Sequence, residues 1–193
     1  MRAAGGLRVW LLYPPGPVPL AQSWVRKRWA CFRNPHARIE FLEPVYAGPG
    51  FAVDAPLGGT LVIGRGCSLR RGVRIELTGP RATVEIGAET VLTGSVLIQC
   101  ASLVRVGRRC QIDDGVLLVD GTHRVRELER KDPQARNRPL TIDDHATVMA
   151  KCTVSAHVGA HTVVGAGSVV LEPVPARCLA AGSPAEVIGY FDA

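Results

Sequence analysis

Val158-Gly-Ala-His-Thr-Val-Val-Gly-Ala-Gly-Ser-Val-Val170 sets a valine at 158, 164 and 170, with Thr162 and Ser168 each four places after one of them. A period of six fits neither the 3.6-residue turn of a helix nor the two-residue alternation of a plain strand. Toward the N-terminus the spacing recurs in rows of three: Ile142, Val148 and Val154; Val106, Ile112 and Leu118; Ile86, Leu92 and Ile98; Ile63, Leu69 and Ile75. Four residues after the aliphatic position the side chain is mostly small or β-branched, as at Cys67, Val73, Thr90, Cys110 and Cys152. Directly after it stands Gly or Asp in many hexads, as at Gly64, Gly87, Gly107, Asp113 and Gly159, types that tolerate tight-turn backbone. Each hexad reads as a short strand and a corner. Three corners close a triangular coil, and stacked coils bury one apolar column while pairing their backbones above and below. Cys67, Cys110 and Cys152 share the inward slot, which predicts packing for them rather than catalysis or metal binding.

The composition agrees with a thin, repetitive core. The 193 residues include 21 Gly but only 3 Trp, 3 Tyr and 4 Phe, and 47% hydrophobic against 21% charged residues excludes a disordered or low-complexity chain. No apolar run approaches the roughly 18 residues of a spanning helix. The short Val9–Tyr13 run, preceded by Arg8 and followed by Pro14, Pro15, Pro17 and Pro19, does not fit a secretory signal. Six scattered cysteines without a C-x-x-C pair point to a reducing, cytoplasmic setting.

Charge is concentrated at one end. Residues 1–40 carry Arg2, Arg8, Arg26, Lys27, Arg28, Arg33 and Arg38 against Glu40, a surplus of 7 − 1 = 6 that equals the whole net charge of +6. The rest is balanced, which argues against a nucleic-acid-binding body. Residues 1–50 read as a basic N-terminal arm in which Pro19 to Phe32 forms a short helix. There Trp24, Trp29 and Phe32 alternate with Arg26, Lys27 and Arg28. Such a helix either rests weakly on an anionic membrane surface or packs its indoles onto the body, the second being the expectation.

The remaining chain divides into a β-helix over 51–188 and a tail over 189–193. From Leu118 to Ile142 the step is 24 residues where 6 would continue the coil, so 124–141 is an inserted, protruding loop. Long loops on rigid scaffolds carry function disproportionately. Just before this one stands Asp120-Gly-Thr-His123. A second irregularity, Val154 to Val158, is two residues short of a hexad, and the sequence offers no account of it.

Carried by Val158–Val170, by Ala181-Gly-Ser-Pro-Ala185-Glu-Val-Ile188 and by the hexads from Leu57 onward, the chain resembles the hexapeptide-repeat acyltransferases. Within them it is most similar to the sugar O-acetyltransferases of the galactoside, capsular and lipopolysaccharide type. The resemblance implies an all-β, left-handed parallel β-helix; periodicity alone does not give the hand. It implies acetyl-CoA as acyl donor, a sugar or glycan hydroxyl as acceptor, and a homotrimer with clefts between subunits. His123 then matches the general base, with Asp120 either orienting its imidazole or binding the acceptor. Ala150, Ala166 and Leu171 match the strip along which the cofactor lies, and no metal is implied.

Several residues depart from that pattern. Thr147 stands where Trp is usual, and Met149 replaces a Gly that leaves room for the pantetheine arm. Glu172 and Glu186 occupy places where Lys or Arg meets the phosphates of CoA, so other bases such as Arg177 are needed. Thr93 and Ala101 replace the acceptor ligands of galactoside enzymes. Within the loop, Arg124, Arg126, Arg130, Lys131, Arg136 and Arg138 outnumber Glu127, Glu129 and Asp132, which fits either an anionic partner or a solvated charge run. Two alternatives remain: a non-catalytic assembly protein with the same coil, or a γ-carbonic-anhydrase-like metal enzyme using His145, His157 and His161.

Overall fold

The computed structural model describes residues 17–120 and 138–191. Its body is a stack of three-sided rungs. The first comprises β1 (Ala37–Phe41), β2 (Tyr46–Ala47) and β3 (Ala52–Asp54), the second β4 (Gly59–Ile63), β5 (Ser68–Arg71) and β6 (Arg74–Leu77), and the third β7 (Thr83–Ile86), β8 (Val91–Gly94) and β9 (Leu97–Cys100). Above them lie β10 (Leu103–Val106), β11 (Gln111–Ile112) and β12 (Leu117–Val119), then β13 (Leu140–Ile142), β14 (Thr147–Val148) and β15 (Thr153–Val154). Val158 opens the next rung by a bridge, followed by β16 (Val163–Val164) and β17 (Val169–Val170). The chain ends in a hairpin of β18 (Cys178–Gly182) and β19 (Ala185–Tyr190), the latter antiparallel to its partner.

Every other named pairing is parallel and stacks like on like: Leu69 on Leu92, Leu92 on Ile112, Ile112 on Val148, and Val148 on Val164 along the second face. None of the fifteen aliphatic residues of the five rows exceeds 2% exposure. The hexad reading therefore holds residue by residue, because an inward side chain every six positions is the only arrangement that keeps one dry column along three faces.

The small slot packs inward as expected and also bonds the corner of the next rung, a role the spacing does not suggest. Along the first corner, the Cys67 thiol donates to the Gly87 carbonyl (3.1 Å), the Thr90 hydroxyl to Gly107 (2.8 Å), and the Cys110 thiol to Asp143 (3.1 Å). Burial pushes the thiols of Cys67 and Cys110 up to about 11. The glycines one place after the aliphatic residue act differently from the sequence reading. Gly87 lacks a turn conformation; a Cβ there would lie 2.5 Å from the Gly107 carbonyl carbon, so close approach between rungs is what excludes a side chain. The left-handed backbone falls two residues later, at Glu89 (φ 62°), Arg109 (φ 55°) and His145 (φ 64°).

The coil also begins earlier than the 50/51 boundary read from the sequence. β1 pairs with β4 through Ile39 and Leu61, so the first two strands of a rung, β1 and β2, lie within the segment assigned to the arm. Phe41, Ala47 and Val53 keep the six-residue spacing, but an aromatic and a methyl in two of the three inward slots disguise an aliphatic row. At the other end β19 runs through Tyr190, past the expected 188. The short step from Val154 to Val158 recurs between Val170 and Val174: on the first face, single bridges of Val158 with Ile142 and with Val174 replace a full strand.

Among the described residues, what remains of the arm is α1 (Pro17–Arg33), and it turns its polar side inward. Ser23, Lys27 and Asn34, just past its end, are buried, whereas Trp24 is 61% and Phe32 76% exposed. The indoles thus do not pack onto the body as expected. Among the described residues no strand pairs with the outer side of the first rung, so its backbone groups there need other partners. Ser23 accepts from the Ala47 N–H at 2.8 Å, and Arg26 donates to the Ala47 carbonyl at 3.1 Å. Lys27 donates to the Val45 carbonyl at 3.0 Å and pairs with Glu43. Asn34 accepts from Ala55 N–H and donates to the Val53 carbonyl.

Candidate functional site

The excursion leaves the coil at the third corner, where the chain passes from one rung to the next. Val119 pairs with Gln99, so Asp120 stands over Cys100, which in turn pairs with Leu77. An acid occupies the place of buried apolar side chains, at 3% exposure. Three consecutive backbone N–H groups compensate it: Ala101 donates to Oδ1 at 2.7 Å, and Ser102 and Leu103 donate to Oδ2 at 2.6 and 2.7 Å. The Cys100 thiol adds a long contact to Oδ2 at 3.6 Å. Burial, and next the charge of Asp120, push that thiol up to about 12. Both carboxylate oxygens are thus engaged by the corner below, and Asp120 pins the point from which Gly-Thr-His departs. His123 and the loop through Asn137 lie outside the described residues; Arg138 and Pro139, where the chain returns, are exposed.

A second polar group flanks this return. Thr141 Oγ1 and His157 Nδ1 share a hydrogen bond of 2.5 Å, and His157 Nε2 lies 3.5 Å from Asp143 Oδ2. By spacing alone His157 suggests only a metal ligand. Its pairing with Asp143 joins residues 14 positions apart, through the bridge between Ile142 and Val158, so no local motif announces it. His145 and His161 instead stack on each other, with centroids 4.7 Å apart and planes within 4°. Among the described residues no group of three His, Cys, Asp or Glu could hold a metal ion.

Of the residues assigned to the cofactor strip, two are brought together. Ala150 and Ala166 occupy the second corner of successive rungs, joined by the Gly167 N–H to the Ala150 carbonyl at 2.9 Å. Leu171 is exposed at the third corner of the last rung, just beyond β17. Met149, next to Ala150 in the chain, is exposed, while Thr147 stacks between Gln111 and Val163. Arg177 belongs to the first corner with His145 and His161, away from the two alanines.

Lys151, an exposed cation beside Ala150, belongs to no motif in the sequence. It takes a left-handed conformation (φ 61°) at a corner position that is glycine at Gly72, Gly115 and Gly167. A long cation where the equivalent residues are Gly72, Ser95, Gly115 and Gly167 is the signal that would have found it.

This fold is the left-handed parallel β-helix of the hexapeptide-repeat acyltransferases. Among solved structures, the polysialic-acid-specific acetyltransferase NeuO superposes with a TM-score of 0.59 at 20% identity, over 80% of this chain and 82% of that one. A hexapeptide-repeat acetyltransferase of Vibrio cholerae O1 biovar eltor, solved with acetyl coenzyme A, gives 0.56 at 16% identity over 98% and 100%. A galactoside acetyltransferase in complex with coenzyme A gives 0.55 at 18% over 93% and 86%. In sequence, serine acetyltransferase 4 of Arabidopsis thaliana is 31% identical over 99 residues, covering 50% of this chain and only 27% of the plant protein. No protein-family model matches the sequence.

Proposed function

We propose that this chain is an acyl-CoA-dependent O-acyltransferase that transfers an acetyl group to a hydroxyl of a sugar or glycan precursor, with His123 as general base. The observation that carries the reading is the Asp120 clamp. A buried carboxylate held by three N–H groups fixes the residue from which the 24-residue step leaves the coil, three residues before the imidazole. Asp120 acts here as a positioning residue, since both its oxygens are occupied.

The chemistry needs few parts. A hydroxyl attacks a thioester slowly until its proton is removed in the transition state, and imidazole titrates near operating pH; such a base contributes about 10²- to 10⁴-fold. The new C–O bond forms as the C–S bond breaks, the proton passes through His123, and the CoA thiolate leaves and is protonated. Holding hydroxyl and thioester together supplies much of the remaining rate. The stacked backbone at Ala150 and Ala166 would line the pantetheine arm, with Lys151 meeting the CoA phosphates in place of Glu172 and Glu186. Completion of the cleft by a neighbouring subunit in a homotrimer belongs to the same proposal.

His123→Ala is expected to lower acetyl transfer by at least about a hundredfold while leaving calorimetric binding of CoA intact. His157→Ala is the companion variant. Should it, and not His123→Ala, abolish transfer, the base is His157. The exposed Met149 side chain on the strip favours a second reading, a non-catalytic assembly protein. A chain that binds neither acetyl-CoA nor CoA in the calorimeter would establish that one.

A further inference from the structure

The helix that closes the lower end of the coil leaves its aromatic side unpartnered. Capping the first rung uses Ser23, Arg26 and Lys27 of α1, because open backbone groups must be met by polar side chains. Leu20, Trp24, Val25, Trp29 and Phe32 are thereby turned to solvent, each at least 44% exposed. They form one surface: the Trp29 and Phe32 rings stack at 5.7 Å, and the Arg28 guanidinium lies 5.8 Å from the Trp24 ring. In an ordinary surface helix the apolar side faces the body. Here the need to satisfy the coil end inverts it.

We propose that this face docks the protein on an anionic lipid surface, with the indoles at headgroup level and the basic side chains against the phosphates. Charge complementarity selects this occupant. α1 contains no Asp or Glu, its Arg28 and Arg33 are exposed, and residues 1–40 hold the entire net charge of the chain. A second copy would bring like charges together, whereas an anionic bilayer neutralises them. Stable peripheral attachment takes two signals, and one helix supplies both a wedge of aromatic area and a cluster of cations. The acyl transfer proposed above does not depend on this contact, nor the contact on it.

The full chain is tested by sedimentation with phosphatidylcholine vesicles and with vesicles enriched in phosphatidylserine, at low and at physiological salt. Binding is expected to the anionic vesicles and to weaken with salt. Each exposed arginine lost from Arg28→Ala and Arg33→Ala should reduce partitioning roughly fivefold. Trp24→Ser with Trp29→Ser and Phe32→Ser should bring it to background, with an unchanged melting temperature because the three side chains are exposed. All three tryptophans, Trp10, Trp24 and Trp29, lie in this part of the chain, so in a Trp10→Phe background the fluorescence of the intact face reports contact directly. A blue shift and quenching by brominated lipid are expected. Absence of sedimentation at low salt, absence of quenching, or undiminished binding of the triple variant overturns the proposal. A fall in oligomeric mass on the triple substitution also overturns it and assigns the face to a second copy.

Discussion

The first two corners of every rung and the third corner obey different rules. From Phe41 to Val53, and in each rung above, both steps through the first and second corners are six residues. Through the third corner the steps are 10, 11, 8, 24, 4 and 4 residues, from Val53 to Ile63, Ile75 to Ile86, Ile98 to Val106, Leu118 to Ile142, Val154 to Val158 and Val170 to Val174. At the first two, each corner is bonded to the one beneath: Arg109 N–H donates to the Ala88 carbonyl at 2.9 Å and Lys151 N–H to Asp114 at 2.9 Å. An extra residue there disturbs a ladder above and below. At the third, the chain is already passing between rungs, and length added to a surface loop costs little. Variation in step length, and with it the excursion that carries His123, is confined to one edge of the prism.

The sharpest way to break this comparison is to insert two glycines at each kind of corner. Between Asp114 and Gly115 the insertion is expected to cost about 5 kcal/mol or to prevent folding, as loss of a cooperative ladder does. Between the exposed Pro80 and Arg81 it should cost under about 1 kcal/mol. Equal tolerance in urea unfolding would abolish the distinction.

Next in size is Asp120→Ala. It strands three N–H groups, which at usual charge-assisted values lowers stability by about 3–5 kcal/mol and the melting temperature by roughly 10 °C. Asp120→Asn, which keeps one acceptor oxygen, should fall between Ala and the native residue. A melting temperature unaltered by Ala would mean that the third corner needs no anchor.

The smallest effect sharpens the account of the first corner. Cys67 and Cys110 hold their protons more tightly folded, at about 11, than unfolded, where the ordinary thiol lies near 8.5 to 9. Their contribution is therefore complete below pH 8 and lost as pH rises through about 11, at up to about 1.4 kcal/mol per pH unit for each thiol. Cys67→Thr, which keeps a donor as Thr90 does, should flatten the urea-unfolding profile between pH 8 and 10 by one thiol's share. In the native protein at pH 8 a thiol reagent should titrate Cys31, the exposed one, ahead of the five buried cysteines.

Much of the architecture was legible because hexad spacing is a local property. The strands, the inward slot of Cys67, Cys110 and Cys152, the helix near 19–32 and the place of the excursion all follow from counting residues. The first rung escaped because Phe41 and Ala47 break the chemical uniformity of the row without breaking its period. The fault at Val154 to Val158 was visible as a number, and its resolution into bridges required the neighbouring rungs.

The sequence by itself determined that a six-residue repeat must wind into a stacked, three-sided coil, since periodicity decides which side chains can share a dry interior. Which way α1 faces, that Asp120 spends both oxygens on the corner below, that His157 meets Asp143, and that Gly87 is required by the approach of Gly107 were decided by tertiary structure alone. Each depends on backbone groups or side chains from a different rung. Such partners are created by stacking, and no window of neighbouring residues contains them.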